Sequence, residues 1–251
     1  MATRFLLLLG LLISNSAWTM EIDTLVARID TRMQSFPAID DLTYLATSRE
    51  QQMDERWQPK SIVTIEKQIL RRGGQDSTLI LKATEIADGK ETDITEKTRE
   101  QWRKRKNDSE NNQGRMSMEL TDLLPFSREK RTTYLFSILA DTLIDGRALG
   151  RIRAEPRQAS AERFTGIFTF DPETHTLLEL HLRPSQEPRF VQSMNMRLRF
   201  QLLSDQIWLP RSFYLRVHAK IVIKNFRFEV QEDYTDFVLP AGVVDTPDGN
   251  E

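Results

Sequence analysis

The sequence predicts a mainly β fold of the α+β class: an antiparallel meander, as a sandwich or a barrel, whose sheet must curve and have its apolar face covered by helices. Two observations lead to this prediction. Candidate strands follow one another from residue 132 towards the end of the chain, with turn residues between most of them. Within these strands apolar side chains alternate with polar ones, so one face of the sheet must be covered while the other meets water.

The first 20 residues are predicted to be a secretory signal peptide. Arg4 supplies a positive charge, residues 5–13 are apolar, and small residues suited to cleavage follow at 14–17. The apolar run is shorter than the ~20 residues that a membrane span needs, and no later run is long and apolar enough, so the mature chain is not expected to span a membrane. The chain has no cysteine, which excludes a disulfide framework and favours a bacterial periplasm as its location.

The rest of the 251-residue chain is expected to form one domain, residues 21–240, followed by a flexible tail, residues 241–251. Its formal net charge is −2, so no global field attracts nucleic acid, which is therefore not an expected partner. Binding proteins, interaction modules and enzymes all remain compatible with this composition.

An amphipathic helix is predicted for residues 21–36, because apolar residues recur there with helical spacing and Pro37 ends the pattern. We expect this helix to pack on the apolar face of the sheet through Leu25, Ile29 and Met33. Strand-like runs follow at residues 42–49, 61–70 and 78–84, with a hairpin turn at 71–76.

Residues 88–116 are a charged insert, for which a solvated helix and a disordered loop remain alternatives. Its deletion is expected to cost little stability. Its carboxylates lie in polar surroundings, which gives no reason to expect general-acid catalysis. The basic run 103–106 beside Trp102 suits anionic lipid headgroups, although a solvated helix face is the simpler interpretation. A short helix is predicted for residues 116–126.

Seven strands are predicted in the remaining chain, at residues 134–144, 148–155, 163–170, 177–183, 193–203, 212–219 and 220–232. Turn residues separate most of them, at 145–146, 171–172, 184, 204–205 and 210. In the hairpin around Asp171, the apolar residues share a face only if Phe168 lies opposite Leu180 and Phe170 lies opposite Leu178, across a loop of residues 172–176. The acids and histidines of this hairpin are then expected to face water.

The apolar face of this sheet is expected to be larger than one or two short helices can cover. An incompletely filled concave face forms a hydrophobic ligand cavity, and methionines suit a wall that adapts to flexible acyl chains. Ordinary core packing is the more common role of any single residue of this kind. The candidate cavity residues are Phe168, Phe170, Leu178, Leu180, Met194, Met196, Leu198, Phe200, Phe213 and Leu215.

No catalytic or metal site is expected. His175, His181 and His218, with Glu179, have spacing that does not favour a metal site, and no cofactor is predicted. The run from Ser127 to Lys130 matches the serine-x-x-lysine pattern of penicillin-binding enzymes, but their lysine-threonine-glycine motif is absent. A hydrolase is kept as a low-weight alternative.

Short motifs in the chain resemble bacterial proteins of the outer-membrane lipoprotein-sorting (LolA-like) superfamily. They are Leu143-Ile-Asp-Gly-Arg-Ala-Leu149, Ile152-Arg-Ala-Glu-Pro156, Arg163-Phe-Thr-Gly166, Phe170-Asp-Pro-Glu-Thr174, Pro188-Arg-Phe-Val191, Trp208-Leu-Pro-Arg211 and Tyr234-Thr-Asp-Phe237. The resemblance covers roughly residues 21–240. It implies an unclosed antiparallel β-barrel whose apolar concave face, lidded by helices, binds acyl chains without catalysis. The central arginine of the lipoprotein carrier has no match here by motif, and the insert 88–116 departs from the compact carrier.

The expected function is therefore that of a periplasmic, non-enzymatic binding protein for a lipid, an acyl chain or a lipidated partner, in lipid or lipoprotein traffic to the outer membrane. Its expected partners are lipid or lipoprotein acyl chains and a protein of the inner or outer membrane. The alternative is a periplasmic interaction or sensor module with a packed core and no ligand.

Overall fold

A computed structural model describes residues 21–111 and 123–239 of the chain, apart from residues 145, 205 and 223. Eleven strands form one sheet, and every neighbouring pair is antiparallel. The strands are β1 (Leu42–Met53), β2 (Pro59–Arg72), β3 (Gln75–Ala87), β4 (Lys90–Asp93), β5 (Tyr134–Ile144), β6 (Arg147–Pro156), β7 (Phe164–Phe170), β8 (Leu177–Pro184), β9 (Val191–Ser204), β10 (Ile207–Ile221) and β11 (Lys224–Val238).

The strand order is β4-β3-β2-β1-β11-β10-β9-β8-β7-β6-β5, so the sheet is a meander that is joined in its middle by the pair of β1 and β11. The two edge strands, β4 and β5, do not pair with each other, and the sheet is not closed into a barrel. The predicted mainly β fold with an unclosed antiparallel sheet is confirmed.

Three helices accompany the sheet in the described part of the chain. Helix α1 covers residues 21–34, α2 covers Thr95–Asn111 and α3 is the short turn Arg128–Arg131. The predicted signal peptide, most of the predicted helix at 116–126 and the tail at 241–251 lie outside the described residues. Within those residues, we find no helix that combines the length and apolar character needed to cross a membrane.

The structure corrects two predicted strand boundaries. Pro210 does not end a strand but lies inside β10, where the register with β9 shifts between Pro210 and Ser212. A bulge of this kind tolerates a proline because one ladder hydrogen bond is already missing. The boundary predicted between residues 219 and 220 lies instead after Ile221, where Val222 adopts a positive φ of 56° in the turn to β11.

The hairpin of β7 and β8 has a different register from the predicted one at its turn. Phe168 lies opposite Leu180 as predicted, but Phe170 lies opposite Leu177, and Leu178 is the extra residue of a bulge. The bulge lets the loop hold six residues, 171–176, while Phe170 and Leu180 stay on the same face. Parity alone could not reveal this, because it assumes an unbroken ladder.

We call the face of the sheet on which α1 packs the inner face, and the opposite face the outer face. One row of directly opposite residues crosses the inner face from the β5 edge to β3. It consists of Ile138, Ile152, Phe168, Leu180, Leu198, Phe213, Glu232, Ser48, Ile65 and Ala83. The row is apolar on β5 to β10 and becomes polar on β11 and β1.

Helix α1 covers the apolar part of the inner face. Val26 and Ile29 are fully buried in the main core cluster, and Leu25 and Met33 pack against it, as the helical spacing predicted. Phe126, which follows the undescribed segment, also enters this cluster and meets the ring of Phe168 edge-on at 4.8 Å between centroids.

Helix α2, which with β4 forms the described part of the charged insert, covers the other end of the inner face. Its Trp102 packs on the small cluster of Ile65, Ile80 and Ala83. The Thr95 hydroxyl accepts the N–H of Ala83, and the Arg99 guanidinium donates to the carbonyls of Ile80 and Leu81 at 3.0 and 3.2 Å. The helix thereby forms hydrogen bonds with backbone groups of β3 that the short strand β4 does not pair with.

Candidate functional site

An apolar strip lies on the inner face of β9, β10 and β11, between the areas under α1 and α2. Val217 of β10 lies opposite Met194 of β9 on one side and opposite Phe228 of β11 on the other. Leu215 of β10 lies opposite Val230 of β11. Phe226 and Phe228 are 41% and 37% exposed, which is high for phenylalanine rings on the face that carries the core. We define the apolar strip as Met194, Leu215, Phe226, Phe228 and Val230.

The apolar strip adjoins the core without a break. Leu215 lies opposite Met196, which is a buried member of the main cluster, and both Met194 and Leu215 pack against that cluster. On the other side Val230 lies opposite Glu50 of β1, whose side chain is exposed. An extended apolar ligand therefore finds a continuous surface that a carboxylate bounds on one side.

The structure brings together all of the sequence-predicted cavity residues except Leu178. Phe168, Phe170, Leu180, Met196 and Phe200 are buried in the main cluster, each at most 7% exposed. Met194, Leu198, Phe213 and Leu215 are half-buried and pack against it. Leu178, at the bulge, is half-buried and does not belong to this cluster. The deeper candidates therefore already contact protein, while Met194 and Leu215 reach the strip.

An aromatic stack that sequence reasoning missed closes one end of the main cluster. The Trp208 ring stacks on Phe200 at 4.0 Å and on Phe36 at 5.8 Å between centroids. Its indole N–H donates to the Leu177 carbonyl at 2.7 Å, which fixes the ring. The Arg32 guanidinium of α1 donates to the buried Thr176 hydroxyl at 3.1 Å. These contacts attach the end of α1 to the loop between β7 and β8.

A polar cluster lies on the inner face beyond the apolar strip, towards α2. The Lys67 ammonium and the Glu232 carboxylate form an ion pair of 2.7 Å, with side chains only 12% and 17% exposed. The Lys67 ammonium also lies 5.7 Å from the centre of the Trp102 ring. Burial, with the nearby charge of Glu232, raises the pKa of Tyr234, and burial raises the pKa of Tyr44 to about 12.

The loop between β7 and β8 corrects the expectation that all acids of this hairpin face water. Asp171 is buried; one of its carboxylate oxygens accepts the N–H of Glu173 at 2.9 Å, and the other pairs with Arg147. Its backbone also bonds His175 and Thr176. The Asp171 side chain therefore closes the turn, which is a common structural role of an aspartate before proline.

The three histidines do not converge. His181 is exposed on the outer face of β8, His175 lies in the β7–β8 loop, and His218 packs edge-on against Trp57. Within the described ranges, no group of three or more metal-ligating side chains lies together. The serine-x-x-lysine run has a structural explanation, because the Ser127 hydroxyl accepts the N–H of Lys130 as the N-cap of α3.

No protein-family model and no curated protein sequence matches the chain. Among solved structures, the chain is similar to an outer membrane lipoprotein-sorting protein domain from Vibrio parahaemolyticus, at 13% identity over 87% of this chain and 93% of that one, with a TM-score of 0.40. A DUF1329 family protein from Desulfovibrio piger has 11% identity over 88% and 92% of the two chains, with a TM-score of 0.40.

A LolA superfamily protein from Nitrosomonas europaea has 11% identity over 88% of this chain and 94% of that one, with a TM-score of 0.38. The names of the Vibrio and Nitrosomonas structures refer to lipoprotein sorting and to the LolA superfamily, which is the group that the motifs resemble. Identities and TM-scores this low have no bearing on what the chain binds.

Proposed function

We propose that this chain is a periplasmic, non-enzymatic binding protein that holds an acyl chain, of a lipid or of a lipidated protein, against the inner face of its sheet. The observation that supports this most is the apolar strip of Met194, Leu215, Phe226, Phe228 and Val230, in which the rings of Phe226 and Phe228 are exposed and the other three side chains are half-buried. A partly exposed apolar surface that continues into the core suits a flexible hydrocarbon chain.

Burial of hydrocarbon supplies the driving force for such binding. Burial of a methylene group contributes about 0.8 kcal/mol, so ten methylenes on the apolar strip contribute about 8 kcal/mol before the entropy of ordering the chain is subtracted. This gross value sets an upper limit of roughly micromolar affinity, because the lost freedom of the bound chain must be subtracted from it. Met194 and Met196 have flexible side chains that adapt to different chain positions.

The deeper candidate residues have a supporting role in this proposal. Phe168, Phe170, Leu180 and Phe200 form the packed floor under α1, and Leu198 and Phe213 connect that floor to the apolar strip. Residues 1–20 would direct export and be removed, residues 21–240 would form the single binding domain with the charged insert at 88–116, and residues 241–251 would be a flexible tail.

A second candidate function is an interaction module without a ligand, whose partner is a protein of the inner or outer membrane. The observation that favours it is the close packing of Phe168 between neighbouring strands, α1 and Phe126. In this alternative the apolar strip is a docking surface for a protein and does not bind lipid.

Binding of a fluorescent fatty acid to the wild type and to Phe228→Glu tests the two functions. The Phe228 side chain is partly exposed, so a carboxylate there stays hydrated in the free protein and must lose water under an acyl chain. We expect the affinity to fall at least ~10-fold while circular dichroism stays unchanged. Leu143→Glu, at a position 74% exposed on β5, is the matched control and should bind as the wild type does.

Two outcomes contradict the lipid-binding proposal. A wild type that binds neither the fatty acid nor a lipidated peptide leaves only the interaction module. Equal loss of binding in the Phe228 and Leu143 variants shows that the added charge acts on the ligand in general and not at the apolar strip.

A further inference from the structure

A groove lies at the β5 edge of the sheet, on the far side of α1 from the apolar strip. It has a volume of about 600 Å³, within the range of ~300–1,000 Å³ that is usual for small-molecule sites. Its lining residues are Ile22 and Asp23 of α1, Arg128, Arg131 and Thr132 at α3, Tyr134, Leu135 and Phe136 of β5, and Arg157. We call it the edge groove.

Three arginines, Arg128, Arg131 and Arg157, line the edge groove, against the single acidic residue Asp23 among the lining residues that the structure describes. Arg157 is fixed there, because its Nε donates to the Thr132 carbonyl at 3.1 Å and its backbone N–H donates to Thr133 at 2.9 Å. Planar guanidinium groups recognise phosphate and carboxylate oxygens with paired hydrogen bonds, so this excess of charge favours an anion.

The remaining wall of the edge groove is apolar. Ile22, Tyr134 and Phe136 are half-buried and pack against the main core cluster. The Phe136 ring also stacks against Phe126 at 6.1 Å between centroids, which gives that wall a rigid support. A small hydrophilic anion would leave this apolar surface in contact with water, whereas an attached hydrocarbon chain would cover it.

We infer that the edge groove binds a single-chain anionic amphiphile, with a phosphate or carboxylate headgroup on the arginines and the start of its chain on Ile22, Tyr134 and Phe136. This site is separate from the apolar strip, and the inference does not depend on the function proposed above. The inference gives Arg128 and Arg131 of α3 a role in binding. In the sequence alone, this segment showed only the serine-x-x-lysine match.

Isothermal titration of the Phe228→Glu protein tests this inference, since binding at the apolar strip is weakened there and the contribution of the edge groove is easier to measure. The probes, all below their critical micelle concentrations, are dodecyl phosphate, uncharged dodecyl maltoside and inorganic phosphate. We expect dodecyl phosphate to bind about 10-fold or more tightly than either of the others, and its affinity to fall as the salt concentration rises.

The variants Arg128→Gln and Arg131→Gln should each weaken binding of dodecyl phosphate by about 10-fold while leaving dodecyl maltoside unaffected. Arg128 is exposed, so its variant remains informative if the half-buried Arg131 proves necessary for folding. Arg153→Gln, an exposed arginine on the outer face of β6, is the matched control and should change nothing.

Three results would overturn the inference. Equal affinity for dodecyl phosphate and dodecyl maltoside would show that the headgroup charge is not recognised. Equal affinity for inorganic phosphate would identify a site for the free anion. An equal effect of the Arg153 and Arg128 substitutions would show that only the general charge of the surface matters.

Discussion

Replacement of Gly150 by alanine probes how tightly the floor of the inner face is packed. Gly150 on β6 lies opposite Phe170 on β7, and the Phe170 ring covers the glycine backbone. A Cβ atom at this position would lie 2.4, 2.8 and 2.9 Å from three atoms of that ring. Because such contacts are shorter than carbon atoms tolerate, the ring must move within a core where Phe170 is buried.

Overpacking of this kind costs about 1–3 kcal/mol. Alanine also restricts the unfolded chain, which offsets about 0.4–1 kcal/mol of that cost. The free energy of unfolding should therefore fall by about 1–2 kcal/mol, and the melting temperature by roughly 2–8 °C for a domain of this size. Urea unfolding followed by circular dichroism measures the first quantity and calorimetry the second.

A double-mutant cycle decides whether the Phe170 ring causes this loss. Phe170→Ala alone should cost about 3–5 kcal/mol, as is usual for a buried phenylalanine. In that background the ring is absent, so Gly150→Ala should be neutral or slightly stabilising. If Gly150→Ala costs the same in both backgrounds, the clash with Phe170 is not its cause and the reasoning is refuted.

Three further predictions concern the polar end of the inner face. Lys67→Met leaves the Glu232 carboxylate largely buried without its partner, so it should lower the free energy of unfolding by about 1–3 kcal/mol in urea unfolding. The double variant Lys67→Met, Glu232→Leu removes the unpaired carboxylate and should recover part of that lost free energy. Trp102→Ala should cost about 1–3 kcal/mol in the same assay, because Trp102 packs on the cluster under α2; no measurable loss would support the expectation that the insert is dispensable. The folded state holds the Tyr44 proton more tightly than the unfolded state, whose pKa is about 10, so the stability due to Tyr44 is fully present below pH ~10 and is lost as pH rises to about 12. Tyr44→Phe should reduce the slope of stability against pH in this window, and an unchanged slope would assign it to other groups.

Alternation of apolar residues was enough to predict most of this sheet. It predicted the strands β5 to β9 because each of them has one face against the core. It missed β4, since Lys90–Asp93 is wholly exposed and carries no apolar residue to mark a face. The pairing of Phe170 was wrong for a related reason, because a bulge changes the register without changing the composition of either strand.

The candidate site was predicted in part. The residues under α1 were identified because their parity is regular, but the apolar strip on β11 was not, although Phe226, Phe228 and Val230 alternate with polar residues. That alternation was the available signal. The edge groove could not be predicted, because its lining residues come from α1, α3 and β5, and only the fold brings these segments together.

The width of the sheet explains why its inner face is incompletely covered. Strands lie about 4.8 Å apart, so eleven strands extend over about 50 Å along the curved sheet. A helix with its side chains is about 10–12 Å wide and therefore covers only two to three strands. Helix α1 takes the apolar end, with Val26 and Ile29 in the main cluster, and α2 takes the polar end, with Trp102 near the Lys67–Glu232 ion pair. The strands between the two helices keep apolar side chains in contact with water, which is unfavourable. Another molecule that covers these side chains would remove them from water and thereby be bound.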